Sequence, residues 1–225
     1  MKKNFIILIY ALFASTLLFA HNSLVDKITV QKPDFIEDFE NGISNWEMTD
    51  SKAWAVSTDD KGNKILCLES SSNYEPAVRS PRSIALLKDV EFEDFVLEVE
   101  AKQTGREYGH RDLCFFLGYQ DPTHFYYVHI ASKADEHAHS IFIVNGAPRV
   151  SIAKERTKGV EWGNNFHKIR IVRRVKDGTI EVYFDDLSKP IMKAEDKTFG
   201  KGKIGLGSFD DTGCFDNLKV WIISS

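Results

Sequence analysis

The sequence predicts an all-β protein, a single antiparallel sandwich or barrel, and three observations lead there. Beyond residue 20, the 225-residue chain carries no long stretch of helical periodicity. Short segments rich in Val, Ile, Phe and Tyr follow one another instead, and turn-forming clusters separate them about every 8 to 12 residues. No composition shift or Pro/Ser-rich linker interrupts residues 33–222, so one domain of about 200 residues accounts for the chain.

The bulk numbers exclude other classes. With 43% apolar residues, 14 Gly and 6 Pro, the chain is neither collagen-like nor low-complexity nor disordered. A formal charge of -4 argues against a general nucleic-acid partner, because neutralising phosphates takes a basic face.

Taken from the N-terminus, Lys2 and Lys3 precede an apolar run from Phe5 to Ala20 that only Ser15 and Thr16 break. That pattern predicts a signal peptide over 1–20 with cleavage after Ala20. The run is short of the roughly 20 apolar residues that span a bilayer. No Cys near the cleavage point indicates a lipid anchor. Removing two Lys and no acid takes the charge from -4 to -6, and the product is expected in the periplasm or medium with no transmembrane anchor. A lead segment over 21–32 precedes a single domain over 33–225.

Within that domain the strand candidates are Ala53 to Ser57, Lys64 to Ser70, Phe95 to Gln103, Asp112 to Tyr119, Phe125 to Ala131 and Ser140 to Val144, followed by Arg149 to Ala153, Phe166 to Val175, Thr179 to Phe184, Lys203 to Ser208 and Phe215 to Ile223. A period of two places Ile169 and Ile171 on one side with His167 and Arg173, and Lys168, Arg170 and Val172 on the other. Lys176-Asp177-Gly178 reads as the turn of a hairpin, with the glycine in positive φ. Cys67, Cys114 and Cys214 are an odd number, so at most one intramolecular disulfide forms; the apolar settings of Cys67 and Cys114 favour buried thiols over a disulfide scaffold.

Two ends of the chain carry a family resemblance. Gly178-Thr-Ile-Glu-Val-Tyr-Phe-Asp-Asp186, Lys189-Pro-Ile-Met192, Phe199-Gly-Lys-Gly-Lys-Ile-Gly-Leu-Gly-Ser208 and Phe215-Asp-Asn-Leu-Lys-Val220 resemble the closing strands of concanavalin A-like lectin/glucanase jelly rolls. Asp38-Phe-Glu-Asn-Gly42 with Trp46 is similar to the opening strand and turn of the same superfamily, which includes laminin-G-like and carbohydrate-binding modules. The resemblance implies a two-sheet antiparallel jelly roll with glycans bound on a concave face or at edge loops. It also implies a structural Ca²⁺ joining the chain ends through Asp38, Glu40 and Asp216, oxygen donors of the kind calcium takes. No organic cofactor is expected. Fold analogy leaves the activity open.

The functional signal from the residues themselves is a density of histidine. Five of seven His (His110, His124, His129, His137 and His139) fall between residues 110 and 139, interleaved with Arg111, Asp112, Tyr119, Tyr126 and Tyr127 and followed by Asn145 and Arg149. Alternation puts Phe125, Tyr127 and His129 on one strand face and Tyr126, Val128 and Ile130 on the other. Aromatic rings for stacking beside ring nitrogens, guanidinium and amide suit a poly- or oligosaccharide. The expected glycan-binding set is Arg111, Tyr119, His124, Tyr127, His129, His139, Asn145 and Arg149.

The first reading is binding without chemistry. The second is a polysaccharide-cleaving enzyme using His129, Tyr127, Asp112 and Arg149. As a lyase it would have His129 take the C5 proton, Tyr127 protonate the leaving oxygen, and Arg149 or Arg111 neutralise a uronate; as a glycoside hydrolase it would need paired carboxylates such as Asp112 with Asp121 or Asp135. The Glu-x-Asp-x-x-Glu strand of jelly-roll glucanases is missing, as are the signature strands of jelly-roll alginate lyases. A third reading is a laminin-G-like interaction module. His137-x-His139 with Asp135 or His129 is weighed as a transition-metal set. Arg79, Arg82 and Lys88 read as a solvated edge, Asp210-Asp211 as a turn or an aid to the calcium site, and Trp54 and Trp162 as core or sugar platforms.

Overall fold

The period-two alternation sorts the strands into two antiparallel sheets in a computed structural model, which describes residues 25–59 and 61–224. The signal peptide expected over 1–20 lies outside the described residues. The first strands are β1 (Phe35–Glu37), β2 (Trp46–Met48), β3 (Trp54–Thr58), β4 (Lys64–Leu68), β5 (Ser83–Leu87), β6 (Phe95–Gln103), β7 (Asp112–Asp121) and β8 (His124–Ala131). They are followed by β9 (Ser140–Asn145), β10 (Val150–Ser151), β11 (Ala153–Arg156), β12 (His167–Arg174), β13 (Thr179–Phe184), β14 (Met192–Glu195), β15 (Lys203–Ser208) and β16 (Gly213–Ile222). A nine-stranded sheet runs β11-β14-β13-β12-β6-β16-β4-β3, with β1 also on β16; a seven-stranded sheet runs β10-β9-β8-β7-β15-β5-β2. The single strand expected over Arg149 to Ala153 is split, β10 joining one sheet and β11 the other.

The core lies between the sheets. Leu97, Val99, Ile169, Ile171, Ile180, Val182, Phe215 and Val220 of the nine-stranded sheet meet Leu113, Phe115, Leu117, Tyr126, Val128, Ile130 and Leu206 of the other, and Trp46, Trp54 and Trp162 all belong to this core. Arg173 shares the inward side as alternation requires, and its guanidinium donates to the carbonyls of Gly178 (2.8 Å), Asp196 (3.0 Å) and Phe199 (2.8 Å). Those bonds satisfy a charge that burial would otherwise penalise. Gly178 takes φ +76°, and a Cβ there would meet the Asp196 carbonyl oxygen at 2.8 Å, so the hairpin turn admits only glycine.

The outer face of the nine-stranded sheet is covered by the lead segment. A helical turn over 25–29 brings Val25 and Ile28 onto Val96, Val172, Tyr183 and Trp221, and the Trp221 indole donates to the Gln31 carbonyl (2.9 Å). On the same sheet β4 and β16 are paired with Cys67 opposite Cys214, and the two form a disulfide. This corrects the expectation of buried thiols for Cys67: strand register places side by side two cysteines that are 147 residues apart in sequence. Cys114 remains a buried thiol, as expected. Among the described residues no helix is long and apolar enough to cross a membrane.

Candidate functional site

The histidine-rich strands β7, β8 and β9 are neighbours in the seven-stranded sheet, with Cys114 opposite His129 and His129 opposite Ser140. The face they turn away from the core carries Cys114, Phe116, Phe125, Tyr127, Phe142 and Val144, with Val78 and Phe209 packed over them. Tyr127 is 0% exposed and its neighbour Phe142 2%, so the Tyr127 ring expected to stack on a sugar is covered by the chain's own loops. They form a second small core, in which Tyr127 stacks on Phe142 at 5.2 Å.

One end of this face stays open as a polar pocket of about 160 Å³, bounded by Arg79, Tyr108, His110, His137, Arg149 and Asp210 with Asp112, His129 and Phe209 at its floor. Arg149 is its best-fixed group. Its guanidinium donates to the Tyr127 hydroxyl (2.6 Å) and the His137 carbonyl (2.7 Å), and lies over the rings of Phe142 (4.5 Å) and Phe209 (4.4 Å). A cation held between two ring faces is stabilised by their quadrupoles and presents its remaining N–H groups in one direction.

At the floor, Asp112 and His129 are 1% and 3% exposed. Asp112 Oδ2 accepts from the Phe209 amide (3.0 Å), the Ser208 hydroxyl (3.2 Å) and the Cys114 thiol (3.3 Å), whereas Oδ1 is buried with no hydrogen-bond partner. Burial raises the Asp112 carboxyl well above the usual range, and the Asp211 charge adds to that. Burial, then Arg149, depresses His129 far below its ordinary value, so its ring is neutral. His129 Nδ1 accepts the His139 amide (3.2 Å), which leaves the proton on Nε2, 3.6 Å from Asp112 Oδ2. Both nitrogens are thereby committed: His129 is a neutral N–H donor with no free lone pair for proton abstraction, which removes the support for its role as a lyase base.

Tyr127, His129, Asp112 and Arg149 therefore converge, and the rest of the expected set does not. Arg111 alternates to the other side of β7 and spends its guanidinium on the Gln103 side chain and carbonyl. Tyr119, at the far end of the strand, stacks on Phe125 at 5.1 Å. His124 pairs with Asp121 at the β7–β8 turn, with exposed Asn145 across from it in β9. His139, in positive φ (53°), is fully buried between the Ala131 amide and the Thr157 hydroxyl, and so cannot join His137 in a metal pair. Residues outside that expected set complete the pocket: Arg79, Tyr108, His110, His137, Phe209 and Asp210. The only signal for them was the histidine density itself and the Asp210-Asp211 doublet.

At the chain ends, Asp216 accepts from the Asn63 (2.9 Å) and Asn217 (3.1 Å) side chains, Glu40 from the Lys64 amide (2.7 Å), and Asp38 from the Glu40 amide (3.2 Å). Burial raises the Asp216 carboxyl, and the charges of Glu100 and Asp38 raise it further. Among the described residues, the ligand atoms of Asp38, Glu40 and Asp216 do not all come within 4.8 Å of one another.

No protein-family model matches the chain, and no curated protein matches it. Solved structures do. Carbohydrate binding module CBM66 from Bacillus subtilis superposes with a TM-score of 0.57 at 16% identity, over 80% of this chain and 96% of that one. The GH43 protein BlXynB from Bacillus licheniformis gives 0.58 at 11% identity, over 86% of this chain and 40% of that one. The carbohydrate recognition domain of Emp47p gives 0.54 at 13% identity, over 84% and 95%. At such identities the likeness carries the architecture and not the chemistry. With its two antiparallel sheets and this set of structural neighbours, the chain has a two-sheet antiparallel jelly-roll fold.

Proposed function

We propose that the protein is an exported carbohydrate-binding module that holds the terminal residue of a glycan in the pocket beside Arg149, without cleaving it. The observation that carries the reading is the fixed Arg149 guanidinium at the mouth of a 160 Å³ polar pocket. That volume is below the ~300 Å³ at which pockets for drug-sized ligands begin, and suits one sugar ring and not an internal stretch of chain. Arg79, His110, His137, Tyr108 and Asp210 offer the mixed donors and acceptors that vicinal hydroxyls require. Arg79 and Phe209 also line an adjoining groove of about 430 Å³, with room for the residues that follow the terminal one. The Cys67–Cys214 disulfide supports an oxidising, exported setting. Structural neighbours whose names describe carbohydrate binding support the ligand class.

The test is a panel of neutral and acidic oligosaccharides titrated into purified protein, with new reducing ends and unsaturated uronates followed in parallel. Binding without product is expected, weakened at least tenfold by Arg149→Ala. Product formation would replace the binding reading with an enzymatic one, and no affinity for any glycan would end both. A structural Ca²⁺ on Asp38, Glu40 and Asp216 belongs to the same reading, because carboxylate oxygens at a sheet edge are the donors calcium takes. EDTA is expected to lower Tm, and Asp216→Asn to reduce that response.

A further inference from the structure

Asp210 and Asp211, a few residues before Asp216 in sequence, lie beside Asp112. One carboxylate oxygen from each of Asp112, Asp210 and Asp211 lies within 4.8 Å of the others, with Asp112 and Asp211 buried and Asp210 exposed. We infer that these three carboxylates hold a calcium ion at the floor of the pocket, where it can take two hydroxyls of the bound sugar as further ligands. The ion site stands on its own residues; only the role given to the ion rests on the glycan reading.

Asp112 Oδ1, buried beside the Asp211 carboxyl and reached by no N–H or hydroxyl donor, is the observation that points to a ligand. A buried carboxylate oxygen without a donor costs free energy unless a cation or donor meets it. Its sister Oδ2 is fully engaged by the Phe209, Ser208 and Cys114 donors, so the side chain is fixed with its free oxygen available. Asp211 is held as firmly: Oδ2 accepts from the Tyr108 hydroxyl (2.7 Å) and from the Asp112 amide (3.1 Å). Among the described residues no Lys or Arg nitrogen comes within ion-pair distance of the three. The one nitrogen that does is His129 Nε2, at 3.6 Å from Asp112 Oδ2, in a ring whose Nδ1 accepts the His139 amide.

The donors select the metal. Asp112, Cys114 and His129 also approach within 4.8 Å, a set that would suit zinc. The Cys114 thiol, however, keeps its proton on the bond to Asp112 and so is not the thiolate zinc takes, and with Nδ1 accepting the His139 amide the His129 proton sits on Nε2, toward the shared point. The oxygen set has no such obstacle. Its three carboxylates come from the start of β7 and from the β15–β16 loop in no regular polyhedron, which calcium tolerates and magnesium does not. Calcium takes six to eight oxygens, so positions remain for water or for sugar hydroxyls on the pocket side.

The experiment titrates CaCl₂ alone, without sugar, into metal-stripped full-length protein by calorimetry, with Tb³⁺ luminescence sensitised by Tyr108 as the local readout. Expected is a calcium site that persists in Asp216→Asn and weakens at least tenfold in Asp210→Asn, an exposed position whose variant should fold; Asp211→Asn serves as the second variant. Equal calcium binding in wild type and Asp210→Asn, or no binding at millimolar calcium, overturns the site. Glycan affinity is then measured with EDTA and after calcium is restored, and a loss that calcium reverses is expected. Glycan affinity indifferent to EDTA overturns the bridging role. Calcium binding intact with no glycan bound upholds the site and ends the glycan reading instead.

Discussion

His139 should make the protein acid-sensitive. Burial, then the charge of Arg156, lowers its pKa to about 4 from an ordinary value of 6.5. In the unfolded chain the ring protonates near 6.5, so between these values the unfolded state binds the extra proton and stability falls as pH falls. Going from pH 7.5 to 4.5 this one residue should cost about 2 to 3 kcal/mol, the free energy of some two pH units of differential protonation. For a domain of this size that is about 5 to 10 °C in Tm. The groups around it complicate the raw curve: His129 adds acid lability of the same sign, while Asp112, Asp211 and Asp216, with raised values, stabilise on protonation. The comparison is therefore between wild type and His139→Asn, since asparagine tolerates the positive φ. The substitution loses the Thr157 hydrogen bond at both pH values, which offsets the two curves by a constant. Urea unfolding at pH 7.5 and 4.5 should show that gap shrink by about 2 to 3 kcal/mol at the lower pH. Curves that shift in parallel would refute a neutral, buried His139.

Reducing the Cys67–Cys214 bridge, which closes a loop of 147 residues, should cost up to about 5 kcal/mol on chain entropy, read as a fall in the urea midpoint of Cys67→Ser against wild type. Gly207→Ala should destabilise by about 1 to 3 kcal/mol or prevent folding, because its Cβ would meet the Ser83 carbonyl oxygen on β5 at 1.9 Å; a wild-type Tm would contradict the tight β5–β15 approach. Tyr127→Phe removes the acceptor of the Arg149 bond, worth about 1.5 to 3 kcal/mol, and should weaken glycan binding about tenfold while leaving the buried ring stack in place.

The sequence by itself determined the architecture. Alternation alone set the two faces of β8, with Phe125, Tyr127 and His129 on one side and Tyr126, Val128 and Ile130 on the other, and it set Arg173 inward beside Ile169 and Ile171. A side chain's face depends only on parity along its own strand, so it is legible locally. The strands it missed are β1 and β2, too short to alternate, β5, buried throughout, and β14, only four residues long. Which strands become neighbours is set by packing across the whole chain, and there only the tertiary structure decided. Register brought Cys67 to Cys214, a bend after β15 carried Asp210 and Asp211 to Asp112, and the loop residues Val78 and Phe209 covered rings that the sequence offered as a sugar platform. The histidine density marked the right region, but of its members only His110, His129 and His137 reach the pocket. The others are used up by hydrogen bonds to neighbours that no local pattern reveals.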